Sequence, residues 1–410
     1  MKKASIVTIG NEILAGKTVD TNAAHLAIEL QNIGIPVVSS YTVSDEIGQI
    51  IRALKLAGSD ADVIVATGGL GPTDDDLTRQ AFAEFLGVEL QLQNDLLEKI
   101  RELFAQRNLD MPENNRIQAY IPAGTKALEN VGTAPGIIAE REGKLFIALP
   151  GVPTEMERMF ESVLPELKEF AGGQAMVVRR LKCFGAGEST IAEMIGDIMR
   201  RGRNPLINCT ASNGIITLHI IAAANEQNEA KKMAEKDEKF LRDTLGELIY
   251  GTEDQTLAEV IGEKLARYKK TIAVAESCTG GFLAKLITDV PGASEYFTYG
   301  WITYSNQAKI SELGVPAGLI EKYGAVSEQV AEAMAMGARS KAGTDFAISI
   351  TGIAGPTGGT EQKPVGLVYI SMASDKGCET WKCLFIQKRE FTRLRAAQTA
   401  LNMLRLKLND

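Results

Sequence analysis

The run Ala275-Glu-Ser-Cys-Thr-Gly-Gly281 sets three candidate nucleophiles, Ser277, Cys278 and Thr279, between a strand-like stretch and a helical one. Backbone N–H groups at such a helix start could stabilise an oxyanion, so the run suits acyl transfer. A serine attacks only after a base takes its proton. Histidine cannot be that base, because the chain has two, His25 and His219, and residues 252–410 contain none. A lysine, a tyrosine or both must serve, and Tyr304-Ser-Asn-Gln-Ala-Lys309 supplies each type after the next strand-like run. If Asn306 caps the following helix, Lys309 falls in its first turn. There the positive helix end and desolvation both favour the neutral amine that a base requires. Cys278 is a rival nucleophile without a histidine to stabilise its thiolate. The bland alternative makes Ser277 an N-cap and Lys309 a solvated surface residue.

A second candidate lies in the N-terminal part. Thr67 to Arg79, TGGLGPTDDDLTR, joins a glycine-rich turn to the carboxylates of Asp74, Asp75 and Asp76. Glycines let the backbone approach a ligand and turn N–H groups toward an anion. Hard divalent metals take oxygen ligands and bridge to phosphates, so the combination suits metal-assisted work on a phosphate ester or anhydride. One of the three aspartates is expected to cap the next helix instead. The turn is echoed at Thr351-Gly-Ile-Ala-Gly-Pro-Thr357, again after a strand-like run. Gly10-Asn-Glu-Ile-Leu-Ala-Gly16-Lys17-Thr18 approaches a P-loop but sets five residues between its glycines, where the phosphate cradle needs four. A P-loop is thereby excluded, and no complete GxGxxG fingerprint is present.

The elements that must position these residues follow from length and pattern. The 410 residues allow two to three domains, at roughly 150 residues each. Apolar residues are 45% and charged residues 23%, which excludes a wholly disordered chain. Lys plus Arg is 44 and Asp plus Glu 52, a net charge of −8, so nucleic acid and membrane surfaces are poor partners. Five cysteines without a CxxC spacing argue against a zinc ribbon or disulfide framework and for a reducing compartment. The N-terminal apolar stretch is broken by Gly10, Asn11 and Glu12, unlike a secretory signal. No run approaches the roughly 18 apolar residues of a membrane helix. A cytoplasmic chain is expected.

Strand-like runs at 4–9, 37–43 and 63–66 alternate with helical periods at 22–33, 47–57 and 77–86, which predicts a parallel α/β sheet. A helix over 154–170 follows, with Gly172-Gly173 as a hinge. Residues 174–250 read as a small β-α-β-β-α module: a strand at 176–184, a helix at 188–201, a hairpin around Ser212-Asn213-Gly214 and a charged helix at 226–245. Its Arg200, Arg201 and Arg203 are expected to be a solvated helix end, and it lacks the GxxG by which KH modules hold nucleic acid. A third part opens near residue 252, where Thr252 and Gln255 have capping-box spacing. It continues with strands at 271–275, 297–304 and 346–351, a hairpin of 365–373 with 378–386, and a final helix from 391 to about 408. The predicted class is two parallel or mixed-sheet α/β domains joined by a small α+β module.

Together these motifs resemble the CinA family of competence/damage-inducible proteins over essentially the whole chain. Residues 1–170 are similar to the molybdopterin-binding, MoaB/MogA-like fold through TIGNEILAG at 8–16, Asp20-Thr21-Asn22, TGGLGPTDDDLT at 67–78, Asn114-Asn115-Arg116, Gly132 to Gly136 and LPGVPTEM at 149–156. Residues 174–250 resemble the KH-like linker domain of longer members. Residues 252–410 resemble the CinA C-terminal domain through AESCTGG, YSNQAK and TGIAGPTGG. The resemblance implies two activities and a homodimer. The C-terminal domain would deamidate nicotinamide mononucleotide (NMN), with Ser277 as nucleophile and Tyr304 and Lys309 activating it. Thr279, Gly280, Gly281 and the loop of Thr351, Gly352 and Gly355 would hold substrate. The N-terminal domain would cleave ADP-ribose with a divalent metal on Asp45 and Asp76, and with Asn22, Gly68, Gly69 and Thr73 around the nucleotide. Pterin or nucleotidyl-transfer chemistry in the N-terminal domain, and a non-enzymatic competence role, are the competing expectations.

Overall fold

The computed structural model describes residues 2–172, 175–386 and 388–408. Gly173, half of the expected hinge, lies outside them. The chain divides into two compact units, residues 1–177 with 222–233 and residues 178–221 with 234–410.

In the first unit, runs rich in β-branched residues and alanine form strands buried on both faces. Ala4–Ile9 and Val63–Thr67 are buried at every position, the signature of a sheet covered by helices on each side. The sheet order is Val37–Val43, Ala4–Ile9, Val63–Thr67, Lys144–Leu149, Gly136–Arg141, Lys126–Leu128. Its first four strands are parallel and its last two antiparallel, so the sheet is mixed, within the expected parallel or mixed class, with an antiparallel edge that the strand and helix alternation did not specify. Side chains alternate between the faces. Ala4, Ile6, Val63 and Val65 pack with Leu26, Leu30, Met156 and Phe160. Val7, Ile9, Ile64 and Ala66 pack with Ile50, Leu54, Phe82 and Phe85. Because the strands are parallel, their C-terminal ends gather on one edge, where open α/β sheets place ligands.

The middle module has strand order Leu206–Ser212, Ile215–Ala224, Ala175–Cys183, Ile249–Thr252. Asn213 (φ 50°) and Gly214 (φ 77°) close the hairpin, the left-handed pair that suits the strand twist. The helix expected over 188–201 stops at Ile195, where Gly196 takes φ 57°. The strand Ile249–Thr252, absent from the expected β-α-β-β-α, completes the sheet beside Ala175–Cys183. Arg203 donates to Asp237 at 2.6 Å, and Arg200 pairs with Asp197. Arg200 is thus solvated as expected, whereas Arg203 is drawn onto the buried Asp237 carboxylate and is not.

The C-terminal sheet has the order Phe297–Ile302, Ile272–Glu276, Phe346–Gly352, Leu367–Ser374, Gly377–Leu384. Its first three strands are parallel and the rest antiparallel. Ile272, Val274, Ile348 and Ile350 pack against Leu257–Tyr268 and Arg389–Lys407. Ala273, Ala275 and Ala347 face Glu328–Ala342. The capping box sits one turn later than expected, at Thr256 and Glu259. Thr252 and Gln255 bond to each other ahead of the helix. All five cysteines are free. Among the described residues no helix is long and apolar enough to cross a membrane.

Gly337 lets Glu328–Ala342 lie against the end of Asn306–Leu313, the helix that carries Lys309. A Cβ at 337 would stand 1.9 Å from the Leu313 carbonyl oxygen. Gly337→Ala gains about 1 kcal/mol of helix propensity against an overpacking cost of about 1–3 kcal/mol. The variant is therefore expected to lower the thermal midpoint; an unchanged or raised midpoint would show that the two helices separate freely.

Candidate functional site

Three loops meet at the C-terminal ends of the three parallel strands of the C-terminal domain. Ser277 follows Ile272–Glu276, Thr303 and Tyr304 follow Phe297–Ile302, and the 353–358 turn follows Phe346–Gly352. The Ser277 amide donates to the Ile350 carbonyl and the Thr303 amide to the Glu276 carbonyl, which stitches the loops to neighbouring strands. Lys309 enters from Asn306–Leu313. The N-cap of that helix is Ser305, whose hydroxyl accepts from the Ala308 amide, not Asn306 as expected. Lys309 is 1% exposed. Its Nζ lies 3.1 Å from Ser277 Oγ and donates to the Thr303 carbonyl at 2.7 Å. Burial pushes its pKa down to about 8. The solvated-lysine alternative is overturned, and so is Ser277 as an N-cap, since the following helix, Phe282–Thr288, is preceded by Gly281.

Desolvation acts in the opposite sense on Cys278. Its thiol is buried and its pKa is pushed up to about 12, so it holds its proton. Of the expected base pair, only Lys309 reaches Ser277. Tyr304 is 60% exposed, and its hydroxyl accepts from Arg389 at 3.0 Å.

Sequence reasoning missed Glu276. Its buried carboxylate accepts from the amides of Gly281 (3.0 Å), Leu283 (3.0 Å) and Ala284 (2.8 Å). It therefore occupies the helix start that was expected to bind an oxyanion. The Gly280 amide returns to the Ser277 carbonyl, and the amides of Cys278 and Thr279 donate to no carbonyl among the described residues. Thr279 Oγ1 is buried without a partner among the described residues. Gly280 (φ 59°) and Gly281 (φ 91°) supply the left-handed turn between nucleophile and helix. Thr351 donates to the Ala325 carbonyl and is buried. Gly352 lies so close to its neighbours that a Cβ would meet the Leu367 carbonyl at 2.7 Å. Gly355 accepts from Arg389 at 2.8 Å. A charged residue between strand and helix, and arginines four apart at 389 and 393, were the sequence signals available for these partners.

In the N-terminal unit a cleft of about 180 Å³ is lined by Thr8, Gly10, Glu12, Asn22, Asp45, Gly68, Gly69, Asp75, Asp76 and Gly151, among others. It sits at the C-terminal ends of the parallel strands. Asn22 donates from Nδ2 to Thr67 Oγ1 and the Gly151 carbonyl, while its buried Oδ1 has no partner among the described residues. Burial raises the Asp45 pKa, and the charges of Glu12 and Asp75 add to the rise. None of the three aspartates caps Thr78–Leu86, whose N-cap is Leu77. Asp76 instead accepts from the amide and hydroxyl of Thr73 (2.9 and 2.5 Å). The Thr73 side chain is thus committed to its own turn. The Gly68 amide is likewise committed, to the Leu149 carbonyl. Fully buried Arg79 donates to the Leu70 and Gly71 carbonyls and pins the glycine turn. Four carboxylates line the cleft, Glu12, Asp45, Asp75 and Asp76, and oxygen donors of this kind are what a hard cation takes together with water and substrate oxygens. No cluster of three metal-ligating side chains is preassembled among the described residues.

The Lys309 pKa has a consequence for stability. In the unfolded chain the amine titrates near 10.5, in the folded chain near 8. Between these values the unfolded state binds more protons, so this residue's contribution to stability rises with pH across that window. Comparing urea midpoints of the chain and Lys309→Met from pH 7 to 10 isolates it. A gap between the two that does not change with pH would mean the amine is not desolvated.

The CinA C-terminal domain model matches residues 254–408, and the damage-inducible protein CinA KH domain model matches residues 178–251. A family described as a probable molybdopterin binding domain matches residues 5–169. A protein of Caldicellulosiruptor bescii that carries the competence-damage inducible name is 43% identical over 409 residues, 99% of each chain. A CinA-like protein of Dictyoglomus thermophilum is 44% identical over 90% of each. The crystal structure of a CinA protein of unknown function from Thermoplasma acidophilum is 39% identical, with a TM-score of 0.38, and covers 40% of this chain and 98% of its own. With full-length relatives at this identity, the chain belongs to the CinA family of competence/damage-inducible proteins.

Proposed function

We propose that the C-terminal domain is a serine–lysine amidohydrolase that converts NMN and water to nicotinate mononucleotide and ammonia. The observation that carries this reading is a desolvated amine 3.1 Å from a hydroxyl in a domain with no histidine. With a pKa of about 8, on the order of one Lys309 in ten is neutral at pH 7, against about one in 3,000 for an unshifted lysine. Ser277 Oγ attacks the carboxamide carbon as its proton passes to Lys309 Nζ. The amides of Cys278 and Thr279 are the donors left in this turn for the oxyanion. Collapse breaks the C–N bond, and the proton held by Lys309 leaves with ammonia. Water then attacks the acyl ester, giving its proton to Lys309 and returning Ser277. Glu276 keeps the turn in place by satisfying the helix amides.

Ammonia release from NMN is expected to fall by about 10³-fold or more in Ser277→Ala and to persist in Cys278→Ala. Because the base must be neutral, kcat/KM is expected to rise with pH and level off above about 8. Full turnover by Ser277→Ala, or a rate that falls as pH increases through this range, sinks the mechanism.

For the N-terminal domain the favoured reading is a metal-dependent ADP-ribose pyrophosphatase. Asp45 and Asp76 would hold the cation, which supplies Lewis-acid polarisation of the phosphoanhydride. The orphaned Asn22 Oδ1 would accept from a ligand hydroxyl or amine. Mass spectrometry with and without added divalent metal tests it. AMP and ribose 5-phosphate are expected with metal only, and their loss in Asp45→Asn. Tight pterin binding without any ADP-ribose cleavage would favour the cofactor-assembly alternative.

A further inference from the structure

The two sides of the helix Arg389–Lys407 have different neighbours. Arg393 faces the loops around Ser277 and donates to the Thr279 carbonyl through Nε (3.0 Å) and Nη2 (2.6 Å). At about 100° per residue, Arg395 and Gln398 stand roughly 200° and 140° around the helix from Arg393. This second side meets the tip of the Asn213-Gly214 hairpin of the middle module. Arg395 donates to the Gly214 carbonyl at 2.7 Å, and its guanidinium lies over the Phe184 ring.

Beside that contact is a cavity of about 210 Å³. Ile215 of the hairpin, Leu257, Leu286, Val290 and Leu401 supply its apolar walls. Gln398 lines it as well. That side chain is 7% exposed, and its buried Oε1 has no partner among the described residues. A buried amide oxygen without a donor is costly, and filling space alone would favour a leucine there. The cavity has room for one substituted ring, since an apolar cavity on the order of 150 Å³ takes up benzene.

The charged residues that line it are both acidic. Glu259 is held in its capping box by the Thr256 amide at 2.7 Å, and Asp289 pairs with Lys285. No cationic side chain lines the cavity among the described residues, so nothing there answers a phosphate, and a neutral ligand is favoured over a nucleotide. The glutamine amide presents an acceptor with a donor beside it in one plane. Its complement is a carboxamide or lactam edge, which offers the same pair reversed, as when glutamine reads a base edge through two hydrogen bonds.

We propose that this cavity is a second small-molecule site, which takes a neutral aromatic carboxamide or lactam. Gln398 reads the polar edge of the ligand, and the aliphatic walls enclose its ring. Because Ile215 belongs to the middle module, an occupant touches that module and the C-terminal domain at once and holds the hairpin against the helix. The site shares no lining residue with the Ser277–Lys309 pair and does not depend on the deamidase reading.

The test uses the full chain carrying Ser277→Ala, so that no amide turns over, with isotope-labelled Ile and Leu methyl groups. It is titrated with benzamide and with isopropylbenzene, which has the same shape without the polar edge. Both are expected to shift the methyl signals of Ile215, Leu286 and Leu401. Adding Gln398→Leu is expected to lower the ratio of benzamide to isopropylbenzene affinity by about 3- to 10-fold. Gln398→Met serves the same comparison if the leucine variant does not fold. A ratio unchanged by the substitution would overturn the site, as would benzamide shifts that are absent or confined to the surroundings of residue 277.

Discussion

Removing one amine from water decides the chemistry open to the C-terminal domain. Lys309 has a carbonyl and a hydroxyl for partners, and an ammonium held that way pays heavily in desolvation. Burial therefore brings the neutral amine within reach near neutral pH, where an unshifted lysine holds its proton almost completely. Everything around it maintains that burial: the close approach of two helices at Gly337, the N-cap at Ser305, and three parallel strands whose ends converge on the same point. The same burial raises the thiol pKa next door. One physical cause thus eases the proton off the lysine and holds it on the cysteine, which a list of nucleophilic residue types could not have separated.

The two end domains solve a common geometric problem differently. Each gathers loops at the C-terminal edge of a parallel sheet, and each has a TGxxGPT turn there. In the N-terminal unit the turn is braced by a fully buried arginine from the helix it leads into, and Asp76 folds back on Thr73. In the C-terminal domain the corresponding turn is braced from a distant helix by Arg389. The likeness of the two runs is a likeness of backbone, since the side chains that give each its charge come from different places.

Much of this architecture could be read before any coordinates. The strands Ala4–Ile9 and Val63–Thr67 announce themselves by runs rich in β-branched residues and alanine, and the Asn213-Gly214 hairpin by its turn residues; the absence of histidine narrows the partner of Ser277 to a lysine or a tyrosine, and the structure selects Lys309. What escaped depended on long-range contact. The strand Ile249–Thr252 is four residues long and pairs only because Ala175–Cys183 offers an edge. The antiparallel strands at 126–128 and 136–141 lack the helices that mark parallel crossovers. Glu276, Arg389 and Arg393 are ordinary charged residues until folding brings the carboxylate to three amides and the guanidinium groups to two loops. Cap positions slipped by one residue at Ser305 and by four at Thr256, because neighbouring polar residues compete for the same amides.

The silenced thiol at 278 also bears on redox tolerance. With a pKa of about 12, on the order of one side chain in 10⁵ is ionised at neutral pH, and peroxides and disulfides react with that form alone. With an alcohol at 277 and the adjacent sulfur sealed off, this turn stays chemically unchanged through oxidative episodes that would modify an ionised thiol.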